Sequence, residues 1–442
     1  MFKSFYIKPL FYYLIGLSVV LFVLAFSWPK LFILAKISLL IIFIIAFLDA
    51  YILNKQKNKI HCTRQVLEKL SLGDDQQVKY TIENQSDLNL DVALFDELPF
   101  QFQYRKKITN NLIHAQEEIE DIFFIRPTER GVYNFGRLHC YISNPKIGLI
   151  QKRITINSPF TVEVHPSIIQ MRKYELQVFS KTASLSGIRK VRKIGENDEF
   201  EHIRSYIQGD NIKSLNWKAT SRKNQLMINQ FQNSRSQMVY CIIDKGRSMK
   251  MPFYGLTLLD HAINSALVIS NIILKKYDKV GLITFSDRIG AVVNAKATKN
   301  QLEYISRKLY DQKTGFKESN IELLFHTIRK QITRRSILLF FTNFEQTYDL
   351  NRNLSYLRSI AKKHLLIVIL FQNTELVETS QMECEKKSDI YLKTFANRML
   401  VEKKEIERKM NINGIQTILT KPEDLSINVI NKYLEIKSKR MF

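Results

Sequence analysis

The sequence predicts two membrane-spanning helices, then a β-rich, sandwich-like domain, then a doubly wound α/β domain. Three observations predict that order: two long apolar runs lie close together in the first sixty positions, short alternating segments follow, and the carboxyl-terminal half alternates continuous apolar runs with helical periods. A chain of 442 residues has room for about three such units.

From about Leu10 to Trp28 no charge interrupts the chain, a length sufficient to cross a hydrocarbon core at about 1.5 Å per residue. After Pro29-Lys30, a second run from Leu31 to Leu53 carries only Lys36 and Asp49, both near enough to an end to snorkel. Residues 1–60 therefore read as a hairpin with spans at about 10–28 and 31–53. A cleaved signal peptide is the competing reading, but no small-residue cleavage site follows the first run and a second apolar run comes at once. Lys3 and Lys8 precede the hairpin, Lys55, Lys57, Lys59 and Arg64 follow it, and only Lys30 lies in its turn. The positive-inside rule then places both flanks in the cytoplasm. Cys62, Cys140, Cys241 and Cys384 show no disulfide spacing, which agrees with a reducing compartment. The expected location is the cytoplasmic (inner) membrane, multi-pass, with the soluble domains on the cytoplasmic side.

The chain holds 66 Lys and Arg against 42 Asp and Glu, a formal net charge of +24. Attraction to anionic membrane lipids is the simplest use of that excess. Runs such as Ile188-Arg189-Lys190-Val191-Arg192-Lys193 could touch nucleic acid, yet no helix-turn-helix, zinc-finger or RNP-like pattern accompanies them, so nucleic acid is not an expected partner.

Residues 62–166 show strand signals at Gln77–Ile82, Leu90–Leu94, Asp121–Ile125 and Thr161–Val164, separated by turn-prone clusters such as Gly73-Asp74-Asp75 and Asn144-Pro145-Lys146. An antiparallel β-sandwich fits, with a spacing or docking role. Residues 167–233 turn polar and basic and read as irregular, with a strand-like stretch at Gln225–Phe231. Residues 234–442 form the α/β domain. Strands are expected at Met238–Ile243, Val280–Phe285, Ser336–Phe341, Leu365–Leu370 and Ile415–Leu419, and helices at about Leu256–Lys276 and Pro422–Lys437. Continuous apolar runs of this kind suit parallel strands covered by helices on both faces.

The run Glu199-Phe200-Glu201-His202-Ile203-Arg204-Ser205-Tyr206, then Gly209-Asp210, then Asn216-Trp217-Lys218-Ala219-Thr220-Ser221-Arg222-Lys223, then Asp244-Lys245-Gly246-Arg247-Ser248-Met249, resembles the bacterial domain of unknown function fifty-eight family in order and spacing. The resemblance covers nearly the whole chain, including Arg130-Gly131-Val132-Tyr133 and Asn144–Leu149 in the β-rich part. It implies two membrane spans, a β-rich segment and a carboxyl-terminal domain similar to von Willebrand factor type A. It also implies protein partners, with a MoxR-type AAA+ ATPase as the partner class.

In a complete type A site, Asp-x-Ser-x-Ser on the first strand loop joins a Thr and a second Asp to hold a hard divalent cation through oxygen ligands. Carried onto this chain, the resemblance places Asp244 and Ser248 at the first and third positions, while Gly246 removes the middle hydroxyl. The Thr position falls on Ser319, with Thr314 as the weaker choice, and the second Asp on Asn343. One carboxylate, with Lys245 and Arg247 in its own loop, gives Mg²⁺ little electrostatic return for dehydration. The expectation is a degenerate metal site: no cofactor is expected, and Mg²⁺ is the ion a residual site would take. Two further readings stand beside it. Asp244 and Ser248 could simply cap the following helix, or Lys245 or Arg247 could receive an acidic partner side chain directly.

Glu201, His202, Arg204, Asp210 and Trp217 form a candidate partner-binding surface, weighed against a structural polar network with Trp217 as an anchor. His261 beside Asp260 falls in a helical stretch and reads as a satisfied histidine. Phosphate-loop, nucleophile-elbow, Cys-x-x-Cys and His-Glu-x-x-His patterns are all missing, so catalysis is not expected. The chain thus reads as a membrane-anchored protein-binding module. A structural scaffold with a dead site and a Mg-dependent adhesion-type ligand binder are the alternatives.

Overall fold

The structure is a computed structural model that describes residues 4–28, 30–104, 109–156, 159–179, 198–208, 212, 215–233, 236–253, 255–384 and 386–439. The chain divides into two compact units, Met1–His165 and Pro166–Phe442.

In the first unit, helices Pro9–Ser27 and Lys30–Gln56 pack side by side, and both are long and apolar enough to cross a membrane. Neither has an apolar stripe against a polar face; apolar side chains such as Tyr13, Val23, Phe26 and Phe47 are exposed all round, as a lipid-facing helix requires. The strands that follow form three sheets. A five-stranded sheet runs in the order Phe5–Ile7, Ile150–Ile156, Leu138–Ser143, Leu90–Asp96, Thr109–Ile113, antiparallel throughout. Ile60–Gln65, Gln76–Asn84 and Glu117–Ile125 form a second, and Lys69–Ser71, Phe160–His165 and Gly131–Phe135 a third. Val78, Tyr80 and Ile82 are buried while the residues between them are at least partly exposed, the period of two that marks these strands in the sequence.

The core of the first unit also holds a charged pair. The Arg64 guanidinium bonds the Asp96 carboxylate and donates to the Gly136 carbonyl at 3.1 Å, and its flat face lies over the Phe135 and Phe160 rings. Tyr80 Oη donates to the other Asp96 oxygen at 2.7 Å.

The second unit is built on a six-stranded sheet ordered Ile289–Lys296, Lys279–Phe285, Met238–Asp244, Ile337–Phe341, Leu365–Phe371, Gln416–Thr420. All pairs are parallel except the first, where Ile289–Lys296 returns antiparallel along the edge. Alternate residues of the central strand feed different cores. Val239, Cys241 and Ile243 pack with helices Leu258–Lys275 and Leu425–Ser438, whereas Tyr240 and Ile242 pack with Ile321–Gln331, Thr347–Lys363 and the later turns of Lys387–Ile412. Burial from both sides is why these strands are apolar at every position. Helix Leu258–Lys275 matches a membrane span in length and composition, yet it is almost wholly buried in this unit. Its start is fixed by a capping box, with Thr257 Oγ1 accepting from Asp260 N and the Asp260 carboxylate accepting from Thr257 N.

The described residues between 167 and 233 are more regular than their composition suggests. They contain the helix Ile168–Phe179, which packs on Leu258–Lys275, and a hairpin of Asp198–Ser205 with Met227–Asn233 carrying the short helix Trp217–Lys223. The helix was hidden by its mixed composition: Met171, Tyr174 and Val178 recur at helical spacing, but polar residues separate them.

Candidate functional site

The connections of the parallel sheet fix where a ligand can sit. From Met238–Asp244 the chain crosses to the neighbour on one side, Lys279–Phe285, and later returns to the neighbour on the other, Ile337–Phe341. Between two strands whose connections leave in opposite directions, the loops at the carboxyl ends diverge and leave a crevice. A cleft of about 520 Å³ opens there, lined among others by Asp244, Arg247, Ser248, Ser319, Thr342 and Asn343.

Asp244 lies at its base, 2% exposed. One carboxylate oxygen accepts from Gly246 N at 2.8 Å and from the Ser319 hydroxyl, and the other accepts from Thr342 Oγ1 at 2.7 Å. Burial pushes this carboxyl above its ordinary range, and the three donors pull it back. The loops are tied around it: Arg247 N donates to Lys317 O at 3.0 Å, Gly315 N to Lys245 O at 3.1 Å, and Asn320 N to Ser286 O at 2.9 Å. Asn320 then caps helix Ile321–Gln331 by accepting from Leu323 N.

Gly246 has a spatial reason rather than a conformational one. Its backbone is ordinary, at φ −69° and ψ 178°, but a Cβ there would lie 2.0 Å from Ser319 Oγ. Glycine therefore lets the Ser319 hydroxyl reach Asp244. The hydroxyl sits in the space that a side chain at position 246 would fill.

Asn343 is 7% exposed and accepts, through its amide oxygen, from the ammonium of Lys403 at 2.5 Å. The same ammonium donates to Phe344 O at 2.6 Å. Burial lowers the Lys403 pKa to about 8, with Glu345 opposing the shift. Lys403 comes from the long helix Lys387–Ile412, and its role escaped the reading of the sequence. A signal was there: Met399, Leu400, Ile406 and Met410 mark one helical face, and Lys403 falls on that stripe.

The four candidate metal residues, Asp244, Ser248, Ser319 and Asn343, thus line one cleft. Their free oxygen capacity does not fit a divalent ion. Asp244 already accepts from three donors, and the Asn343 amide oxygen already accepts from the Lys403 ammonium. Among the described residues no group of three or more His, Cys, Asp or Glu is placed to hold a metal.

The other candidates separate. Arg247 is exposed and lines the cleft, whereas Lys245 is half-buried with its ammonium close to Gly290, which lowers its pKa against the pull of Asp287. The helix-capping reading of Asp244 and Ser248 is overturned. Ser248 lies in the single turn Arg247–Lys250, and the next long helix is capped by Thr257. The side chains of Glu201 and His202, and all of Asp210, lie outside the described residues. Arg204 Nη1 donates to Ser205 O at 3.2 Å. Trp217 opens its short helix 70% exposed, so it is not a buried anchor. His261 Nε2 lies 3.4 Å from Phe253 O, in keeping with a satisfied histidine.

The rim carries five further carboxylates, Asp287, Glu318, Glu322, Glu345 and Asp349, against Arg247 and Arg352. In a chain of net charge +24 this is a local reversal of sign. Rim carboxylates are paired in Lys317–Asp287 at 2.8 Å, Arg288–Asp287 at 3.8 Å, Arg352–Glu318 at 3.7 Å and His326–Glu322 at 4.0 Å, with all these side chains but Asp287 well exposed.

Fold and site together define a mixed α/β unit with a polar cleft at the carboxyl ends of its parallel strands, carried by a chain with two helices apolar enough to span a membrane. The family model described as a protein of unknown function, DUF58, matches residues 202–396, which include the loops around Asp244, Ser319 and Asn343. An uncharacterized protein, YeaD, of Bacillus subtilis (strain 168) is 27% identical over 116 residues; the match spans 26% of this chain and 28% of that protein. Among solved structures, the conserved hypothetical protein BatB from Bacteroides thetaiotaomicron aligns over 46% of this chain and all of its own, at 11% identity and a TM-score of 0.29. A CARDB domain from Pyrococcus furiosus aligns over 24% of this chain and 86% of its own, at 12% identity and a TM-score of 0.16. Superpositions this loose transfer neither fold nor function.

Proposed function

We propose that this chain is a membrane-anchored recognition module that binds a protein partner through the cleft above Asp244 and does so without a metal. On this reading the helical hairpin holds the chain in the membrane, the β-rich part is a sandwich-like spacer, and the α/β part is a type A-like binding domain. The observation that carries it is the cleft's position where the connections of the parallel sheet reverse direction, combined with a base whose hydrogen-bonding groups are already satisfied by one another. A self-satisfied base holds the loops rigid and leaves the rim to do the binding. Five carboxylates against two arginines at that rim favour Lys or Arg side chains from the partner, the reverse of an acidic group docking on Lys245 or Arg247. The Ser319 and Thr342 hydroxyls both donate to Asp244 and are spent on holding the base together, so binding is the work we propose for the cleft.

Crosslinking and pull-down from membranes with the full chain tests this, with a MoxR-type AAA+ ATPase as the partner class to look for first. The expected result is a partner captured in the presence of EDTA and lost on Glu345→Lys with Asp349→Lys. A partner captured only with Mg²⁺, and lost on Asp244→Ala, would establish metal-dependent binding instead. A partner set indifferent to every cleft substitution would reduce the α/β domain to a scaffold.

A further inference from the structure

The helical hairpin is not joined to the β-rich part by a loose tether. The strand Phe5–Ile7 lies immediately before the first helix and pairs antiparallel with Ile150–Lys152, Tyr6 opposite Gln151, as the edge of the five-stranded sheet. The bonding continues past the strand, with Lys8 N donating to Leu149 O at 3.0 Å and Lys8 Nζ to Asp91 at 3.2 Å. From the second helix, one oxygen of the fully buried Asp49 accepts from the backbone N–H of Leu149 at 3.2 Å and of Ile150 at 3.0 Å. One turn later Asn54 accepts from the buried Lys152 ammonium. Phe11 and Ala46, one from each helix, close a small apolar cluster with Leu149 between these polar bonds.

An aspartate inside a membrane helix is costly unless it is paired or lies outside the hydrocarbon. Here one of its oxygens is held by two backbone N–H groups of the sheet, the other being buried without a hydrogen-bond partner among the described residues, so the last two turns of the second helix stand on the β-rich part, and the span ends near Leu48. That leaves Leu31–Leu48, about 18 residues or ~27 Å, against a hydrocarbon core of about 30 Å. Exposed Tyr51 lies just past that end of the span and exposed Trp28 at the turn, while Tyr12 and Tyr13 lie further in, because Phe11 packs against Phe43 and Phe22 against Phe32. Tyrosine and tryptophan are enriched where a helix passes through headgroups.

We propose that residues 4–8 and the β-rich part lie on the same face of the membrane, locked together by the Phe5–Ile7 strand and Asp49, with the edge of the five-stranded sheet held at headgroup level. This rests on the hairpin spanning the bilayer, and the two claims fail separately. The lipid headgroup surface is the committed occupant of that edge because Pro9, two residues beyond the strand, already begins the span.

The test uses the full chain in native membranes, with exposed Cys384 changed to Ser, and a membrane-impermeant maleimide applied from each side in turn. Ser4→Cys and Asp87→Cys should react from one side, and Trp28→Cys only from the other. Tyr51→Cys should react from the Asp87 side, while Phe47→Cys should stay silent. In a separate variant, Tyr6→Cys with Gln151→Cys should form a disulfide under mild oxidation, and Asp49→Leu should reduce its yield several-fold while Asp49→Asn, which keeps an acceptor oxygen, largely restores it. Trp28→Cys reacting from the Asp87 side would overturn the spanning hairpin. Correct sidedness with no 6–151 disulfide, with a yield indifferent to Asp49→Leu, or with a buried Tyr51 position would overturn the clamp.

Discussion

Placing an alanine at Gly246 tests the core of the site. Its Cβ would lie 2.0 Å from Ser319 Oγ and 3.2 Å from Ser319 Cβ, so Ser319 must move and its bond to Asp244 is lost. Losing a hydrogen bond to a charged or partly charged carboxyl costs about 1.5–3 kcal/mol, and overpacking a well-filled site typically adds about 1–3 kcal/mol. The sum, about 2.5–6 kcal/mol, is a large share of a domain's stability. Cys241 supplies the assay, because it lies fully buried in the central strand three residues before Asp244. Pulsed thiol labelling of the full chain, with the Cys241 peptide read by mass spectrometry, reports opening of the α/β unit. At about 1.4 kcal/mol per tenfold, Gly246→Ala should speed that labelling by about sixtyfold or more. Ser319→Ala alone loses the bond but not the packing, and Gly246→Ala on that background should cost less than on the native one. The expected coupling is about 1.5–3 kcal/mol. Strictly additive effects would refute the idea that Gly246 exists to admit the Ser319 hydroxyl.

Three further outcomes follow from buried charge. Neither ring nitrogen of buried His364 has a hydrogen-bond partner among the described residues, and burial lowers its pKa to about 4, so the unfolded chain takes up the proton first as pH falls. Stability should drop between about pH 6.5 and 4 by at most about 3 kcal/mol, and His364→Leu should flatten urea midpoints across that window. Lys403, lowered to about 8, acts with the same sign in a higher window: between about pH 8 and 10.5 the unfolded chain holds the extra proton, so stability should rise with pH by up to about 3 kcal/mol. Parallel urea profiles for the native chain and Lys403→Met over that range would sink the assignment of a buried, strained ammonium. In the first unit, Asp96→Ala leaves Arg64 buried without its carboxylate and should cost about 3–5 kcal/mol, read as faster labelling of buried Cys140.

The elements that were legible in the sequence are those whose burial is simple. Met238–Asp244, Leu365–Phe371 and the two apolar amino-terminal helices each meet one kind of surroundings on every side, and the sequence is correspondingly uniform. The edge strand Ile289–Lys296 alternates only weakly because one side is open, and the first turns of Lys387–Ile412 bury almost nothing, so neither announced itself. The site divides in the same way. Asp244 and Ser319 were found by position along the chain, and the loss of an oxygen at Gly246 was visible as a substitution. Thr342 was passed over because its neighbour Asn343 drew attention, although both side chains leave the same strand end. Lys403 lies 60 residues from the amide it holds, and only packing of the helix against the sheet brings them together.

The partnering at the cleft base also bears on the binding proposed for the rim. A carboxylate and an ammonium are both buried at the strand ends, yet they do not pair with each other: Asp244 is held by hydroxyls and an N–H, Lys403 by an amide and a carbonyl oxygen. Each is therefore fixed by neutral dipoles, and neither needs a counter-ion from the rim. The rim pairs are exposed and long-chained, a class worth about 0–1 kcal/mol each, so a partner's ammonium or guanidinium could replace Lys317 or Arg352 at little cost. Exposed charges separated by more than about 8 Å are largely screened at physiological salt. Binding through this rim should accordingly weaken steeply with ionic strength, chiefly in its association rate, while the stability read at Cys241 stays nearly constant.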